Sequence, residues 1–221
     1  MTKESEHTIY DILPMLETQV IKLLHEFMKA DNGAIYTWEI AIFYPATNAF
    51  LHYLAGVNIS LQNNNYMSAM ANVRGLIESL GAVVYDGTAR LPEEAYDWFI
   101  KNGRLPKWNE KKKKWEALTI NDTVASSQKA VDPKININKI YAACCDLNHF
   151  SSKHMSFLGG FEPQLDDKNR MLTFKIGSKD DIPVKEQREV IDFCATLCNV
   201  LGECIRLATK ERTSRPPSKK P

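Results

Sequence analysis

The chain has 221 residues, of which 44% are hydrophobic and 25% are charged, and its formal net charge is +1. This composition is typical of a globular domain and is enough to build a sizeable core. The near-neutral charge also excludes a molecule that attracts nucleic acid through its charge as a whole.

The sequence indicates a protein of a reducing compartment. Its five cysteines are odd in number and clustered, which is not the pattern of a disulfide framework. The polar N-terminus lacks the apolar segment of a signal peptide, so we expect a cytoplasmic protein. The apolar segment 34–57 also contains Glu39, Pro45 and His52, and it is therefore predicted to be a buried helix and not a membrane span.

The first half of the chain shows helical spacing of apolar residues. The pattern predicts helices over 8–30, over 35–58 with a bend near Pro45, and over 63–85, where three asparagines (63–65) offer a start. A short helix is predicted between Pro92, which opens it, and Gly103, which ends it.

The second half of the chain shows a less uniform spacing of apolar residues. Residues 104–135 form an irregular basic insertion or lid, alternatively a solvated loop, with a short helix over 120–130. A helix is predicted over 137–148, and alternation on both sides of an Asp-Asp-Lys-Asn turn predicts a β-hairpin near 161–176. Pro183 opens a last helix that extends to 211.

The predicted fold is therefore mainly α, an irregular bundle of five to six helices with one β-hairpin. The apolar stripes of the four long helices form its core. A single domain is expected over 1–211, followed by a disordered basic tail over 212–221.

Arg74 and Glu78 are the first candidate site residues. They are four apart on a predicted helix and lie on one flank, close to the apolar stripe. An arginine in such a position needs a partner or lines a cleft. It is either a site arginine oriented by Glu78 or one half of a structural salt bridge.

The second candidate lies where the 137–148 helix ends. Histidine can act as an acid or a base near neutral pH, and loops at helix ends often carry function. The alternative is that these side chains pack locally or are solvated. The residues are His149, Ser151, Ser152, Lys153 and His154.

Metal and cofactor chemistry are not predicted. His149 and His154 are five apart, whereas two ligands on one helical face need a spacing of four. Cys194 and Cys198 lie on or beside an apolar stripe and are interpreted as small hydrophobic residues. The glycine-rich phosphate-binding, dinucleotide-binding and nucleophile-elbow motifs are all absent.

A basic run lies between two tryptophans, Trp108 and Trp115. Such a run could bind single-stranded nucleic acid by charge and stacking, with the C-terminal tail adding phosphate affinity. The alternative is a solvated face. The lysines are Lys111, Lys112, Lys113 and Lys114.

The order of two short motifs resembles a group of uncharacterised all-helical bacterial domains. The motifs are Arg74-Gly-Leu-Ile-Glu78 and a helix end that runs from Tyr141 to His149-Phe-Ser151. The resemblance implies a prokaryotic or phage-like source, with some members near defence genes. A more distant likeness is to the HEPN helical bundles, many of which are metal-independent ribonucleases, although their Arg-x(4–6)-His signature is missing here.

Two functional hypotheses follow. The first is a non-catalytic module that binds a protein or small-molecule partner, as a monomer or a homodimer, in a stress or defence setting. The second is a ribonuclease or nucleotide hydrolase that uses Arg74, Glu78 and His149, with Tyr141 and the residues of the second candidate as substrate contacts. A site of either kind is expected between the 74/78 flank and the 146–154 helix end.

Overall fold

The computed structural model describes residues 4–30, 42–89, 91–148, 164–166, 169–171 and 182–214. These residues form seven α-helices and two antiparallel two-stranded sheets. The elements are α1 (Glu4–Lys29), α2 (Tyr44–Gln62), α3 (Tyr66–Ala89), α4 (Glu93–Asn102), β1 (Pro106–Asn109), β2 (Lys114–Ala117), α5 (Ile120–Ala130), α6 (Ile137–Asn148), β3 (Gln164–Asp166), β4 (Asn169–Met171) and α7 (Val184–Ser214).

The mainly α prediction is confirmed, although the described residues form seven helices and two hairpins where five to six helices and one hairpin were predicted. Local chemistry explains where several helices begin and end. The Asn65 side chain accepts the backbone N–H of Ser68 at 3.0 Å and so caps the start of α3. Gly103 ends α4 with a left-handed φ of 64°. Pro45 lies in the first turn of α2, where its missing N–H costs nothing. The predicted start of this helix at residue 35 lies outside the described residues, so the bend near Pro45 stays a prediction.

α3 is the central helix of the bundle. It contacts α2, α5, α6 and α7, while α1 packs against α2 and α7. The predicted apolar stripes are buried, which confirms the interpretation of the long helices as the core. Their fully buried members include Phe27, Phe50, Leu54, Leu76, Ile77, Leu80, Leu197 and Leu201.

α5 lies unusually close to α3. A Cβ placed on Gly81 would stand 2.1 Å from the Thr123 carbonyl oxygen, so only glycine permits this approach. One turn earlier on α3, the buried Ser127 hydroxyl donates to the Ile77 carbonyl at 2.7 Å. These contacts fix the position of α5, and a capping box between Thr119 and Asp122 fixes its start.

The segment 104–135 is more regular than predicted. β1 and β2 form a hairpin in which Trp108 faces Trp115, and the short helix expected over 120–130 is α5. The lysine run forms the hairpin turn, where Lys113 adopts a φ of 49°. β3 and β4 confirm the second hairpin, because Asp166 pairs with Asn169 across the predicted turn.

The predicted boundary of the disordered tail at residue 212 is wrong, because α7 continues to Ser214. Arg212 is only 8% exposed and donates from Nη1 to the Phe27 carbonyl at 2.8 Å. That carbonyl is in the last turn of α1, where carbonyls lack helical partners, so a cation there is favourable. The remaining residues of the predicted tail lie outside the described ranges.

Candidate functional site

Arg74, Glu78 and Tyr141 form a compact polar cluster where α6 packs against α3. Arg74 and Glu78 are one turn apart on α3, and therefore their side chains share one flank of that helix. Tyr141 reaches them from the second turn of α6. The cluster thus joins the helix that carries the first candidate pair to the helix that precedes the second candidate residues in sequence.

The three side chains form a closed set of hydrogen bonds. The Nε–H of Arg74 is shared between Glu78 Oε1 at 2.8 Å and Tyr141 Oη at 3.1 Å. The Tyr141 hydroxyl donates to the same Glu78 oxygen at 2.6 Å. The guanidinium carbon also lies 5.4 Å from the centre of the Tyr141 ring, within the range of a cation–π contact. Glu78 and Tyr141 therefore fix the orientation of Arg74.

The cluster favours a charged arginine and a neutral tyrosine. The hydrogen bond to Glu78 raises the pKa of Arg74 above its ordinary value. Burial, and then the hydrogen bond to Glu78, raise the pKa of Tyr141 above the ordinary value of a phenol. The Tyr141 hydroxyl is therefore protonated near neutral pH, and in this state it positions Arg74 and Glu78.

One edge of the Arg74 guanidinium is available. A guanidinium has five N–H donors, and the cluster uses only the one on Nε. Within the described part of the chain, Nη1 and Nη2 have no hydrogen-bond or ion-pair partner. The Arg74 side chain is 34% exposed, so solvent reaches it. This planar edge matches two oxygens of a carboxylate or phosphate.

The structure brings together three of the predicted site residues, Arg74, Glu78 and Tyr141. It also shows Glu78 as the carboxylate that accepts hydrogen bonds from Arg74 and Tyr141, and its catalytic role stays a prediction. The other predicted site residues lie outside the described ranges, and their roles stay predictions. They are His149, Ser151, Ser152, Lys153 and His154.

Two buried cysteines, Cys144 and Cys198, are not activated. Cys144 lies on α6, three residues after Tyr141, and burial raises its pKa to about 12. Burial also raises the pKa of Cys198 to about 12. Neutral buried thiols act as small apolar groups. The described residues contain no group of three or more His, Cys, Asp or Glu side chains that could hold a metal ion.

The lysines of the β1–β2 hairpin have carboxylate partners close by. Lys112 pairs with Glu116 at 2.9 Å, and Lys113 pairs with Glu110 at 2.8 Å. Lys114 also lies 3.7 Å from Glu116. These contacts balance much of the local charge, and the nucleic-acid role of Lys111 to Lys114 stays a prediction.

Sequence reasoning missed a second polar pair. Asp86, near the end of α3, is 3% exposed and accepts a hydrogen bond from the Tyr96 hydroxyl at 3.0 Å. Asp86 follows the buried Val83 by three residues and so shares its side of the helix. A carboxylate on an apolar side needs a partner, and this signal could have identified it.

Comparisons of the chain with protein-family models, with curated proteins and with solved structures found no match. Among the described residues, none of the helices has the length and apolar character that a membrane span requires.

Proposed function

We propose that this helical protein is a binding module for a phosphate-bearing ligand, an RNA or a nucleotide, which it recognises through Arg74. The observation that carries the proposal is the Nη edge of Arg74, which is partly exposed and has no partner in the described ranges. Glu78 and Tyr141 hold the guanidinium from its other side.

Pre-organisation supports this role. An arginine side chain normally loses considerable rotamer freedom when it binds an anion, and this loss weakens binding. Here the side chain is already held by Glu78, Tyr141 and the Tyr141 ring, so less freedom remains to be lost. Each charge-assisted hydrogen bond from the guanidinium is stronger than a neutral one.

RNA cleavage is the second candidate function, because the same guanidinium edge suits a phosphorane. A ribose 2′-hydroxyl would attack the adjacent phosphorus, and His149 would take the hydroxyl proton. The P–O5′ bond would break, the departing 5′ oxygen would take a proton from water, and the products would be a 2′,3′-cyclic phosphate and a 5′-hydroxyl. Arg74 would stabilise the charge that develops on the phosphorus oxygens. The role of His149 comes from the resemblance to helical ribonucleases.

Binding is tested by fluorescence anisotropy with a short labelled single-stranded RNA, with AMP and inorganic phosphate as competitors. We expect Arg74→Ala to weaken binding by about tenfold or more, which corresponds to the loss of a charged hydrogen bond. Arg74→Lys keeps the charge but loses the planar pair of Nη donors, so it should also weaken RNA binding. Competition by AMP as strong as that of unlabelled RNA indicates a nucleotide site, and weaker competition indicates RNA.

The matched control is Arg188→Ala, which removes an exposed arginine of α7. Its affinity should stay close to that of the wild type. Equal affinity of Arg74→Ala and the wild type, or no binding of any of the three ligands, contradicts the proposal. Cleavage is assayed separately with EDTA present, where His149→Ala should abolish it while RNA binding remains. A wild type that binds RNA without cutting it removes only the second candidate.

A further inference from the structure

A cleft of about 780 Å³ lies between the end of α3, α4, the end of α5 and the second half of α7. Pockets that hold small organic ligands span about 300 to 1,000 Å³. The cleft is therefore of the right size for such a ligand. Its apolar wall includes Phe43, Val83, Val84, Leu91, Val200 and Cys204.

The cleft is separate from the Arg74 cluster. Val83 lines the cleft and follows Arg74 by nine residues, which is about two and a half turns of helix. The two side chains therefore leave α3 on opposite sides. A ligand in this cleft has no access to the Arg74 guanidinium.

The acidic groups that line the cleft are engaged. Asp86 accepts the hydrogen bond of Tyr96 at 3.0 Å, and Glu203 pairs with Arg206. Glu211 also has a partner. None of these carboxylates is offered to a cationic ligand.

Lys129 differs from the other charged residues that line the cleft. It lies in the last turn of α5, is exposed, and has no hydrogen-bond or ion-pair partner within the described ranges. An ammonium group is a compact point charge that suits a single anionic head. The neighbouring carboxylates would repel each additional negative charge, so a monoanion fits better than a phosphate dianion.

We propose that this cleft binds a small amphipathic carboxylate, a molecule of the fatty-acid class. Its apolar body would lie against the wall, where the removal of methylene groups from water favours binding. Its carboxylate would lie at Lys129. This site goes beyond the proposed phosphate recognition and does not depend on it.

The test uses N-phenyl-1-naphthylamine, an uncharged dye that fluoresces in apolar sites, with dodecanoate and dodecylamine as competitors. The wild type should bind the dye, and dodecanoate should displace it at lower concentration than dodecylamine. Lys129→Met keeps the apolar part of the side chain and removes its charge. It should lower the affinity for dodecanoate about tenfold and leave the affinity for the dye unchanged. Because Lys129 is exposed, this variant does not threaten the fold.

Ala208→Trp fills the cleft and should lower the affinity for both the dye and dodecanoate. The controls are Lys139→Met and Ala142→Trp, which change exposed residues of α6 and should leave both affinities unchanged. Three results would overturn the proposal. They are a wild type that binds neither compound, dodecanoate affinity that is equal in Lys129→Met and the wild type, and dodecylamine that competes as well as dodecanoate.

Discussion

Two arginines of this chain show how the environment decides what a side chain can do. Arg212 is buried, donates to the Phe27 carbonyl, and lies with its guanidinium carbon 4.2 Å from the centre of the Phe27 ring. Arg74 is one-third exposed and keeps its Nη edge without a partner in the described ranges. The first therefore joins two helices, whereas the second is available to a ligand.

Arg212→Ala should lower the free energy of unfolding by about 2 to 3 kcal/mol, because a charged hydrogen bond and a buried cation–π contact are both lost. Urea denaturation followed by circular dichroism measures this change. The matched control is Arg206→Ala, since Arg206 is exposed and its ion-pair partner among the described residues is Glu203 of the same helix. Arg206→Ala should lower the free energy of unfolding by less than about 1 kcal/mol. Equal costs for the two variants would contradict the structural role of Arg212.

At the residue scale, the sequence predicted the side-chain contacts that spacing along one helix determines. The Arg74–Glu78 pair follows from a separation of four on one helix. The bond between Tyr141 and Glu78 joins residues 63 apart in sequence, and periodicity carries no information on such contacts. The structure shows Tyr141 holding the arginine, and the ligand contact that the resemblance implies for Tyr141 stays a prediction.

At the scale of elements, the approach of α5 to α3 depends on Gly81. Neighbouring helices usually lie about 8 to 10 Å apart, and small residues permit the closest approach. A methyl group at Gly81 would collide with the Thr123 carbonyl, which is backbone and cannot rotate away. α5 would then have to move, and the Ser127–Ile77 hydrogen bond would break with it.

Gly81→Ala should therefore destabilise the protein by about 3 kcal/mol, at the upper end of the usual cost of overpacking. Gly87→Ala is the control on the same helix, because a Cβ there meets no atom within 4 Å. Alanine is the better helix former, so this variant should be neutral or slightly more stable. Thermal unfolding of both variants checks the expectation, and a Gly81→Ala protein as stable as the wild type would contradict it.

The sequence predicted the helices better than the first hairpin. Long apolar stripes, Asn65, Pro92 and Gly103 indicate helices and their ends. Each strand of the β1–β2 hairpin has only four residues, which is the lower limit at which alternation can be recognised. The lysine run that forms its turn resembles a solvated loop in composition.

At the scale of the whole molecule, three tyrosines connect stability to alkaline pH. Burial, and then the charge of Glu186, raise the pKa of Tyr66 from 10.0 to about 12. The pKa values of Tyr85 and Tyr141 shift in the same direction, in both cases mainly through burial. A raised pKa means that the folded state favours the neutral phenol. The resulting stability is present below pH 10 and is lost as the pH rises through the folded pKa.

The free energy of unfolding should therefore fall as the pH rises from about 10 to about 12. The fall should be smaller in Tyr66→Phe, which removes one of the ionising hydroxyls. Urea titrations at a series of pH values measure the slope of the free energy of unfolding against pH for both proteins. Tyr44→Phe, at an exposed tyrosine, provides the comparison. A slope in Tyr66→Phe as steep as in the wild type would contradict the assignment.

The central helix gives the molecule two different faces. One side of α3 presents the Arg74 cluster to α6, and the other side lines the cleft that faces α7. The sequence predicted the first face because Arg74 and Glu78 are charged residues close to the apolar stripe of the same helix. It did not predict the cleft, which depends on how four helices pack around a shared space.

Anion recognition by Arg74 can be observed directly by ¹⁵N NMR of the arginine side chains during a titration with short single-stranded RNA or AMP, with Arg74 assigned by its absence in Arg74→Lys. We expect the Nη signals of Arg74 to shift and sharpen as the anion restricts guanidinium rotation, while those of Arg188 stay unchanged. A ligand that binds without changing the Arg74 signals would show that recognition occurs elsewhere and that Arg74 is not the anion-binding residue.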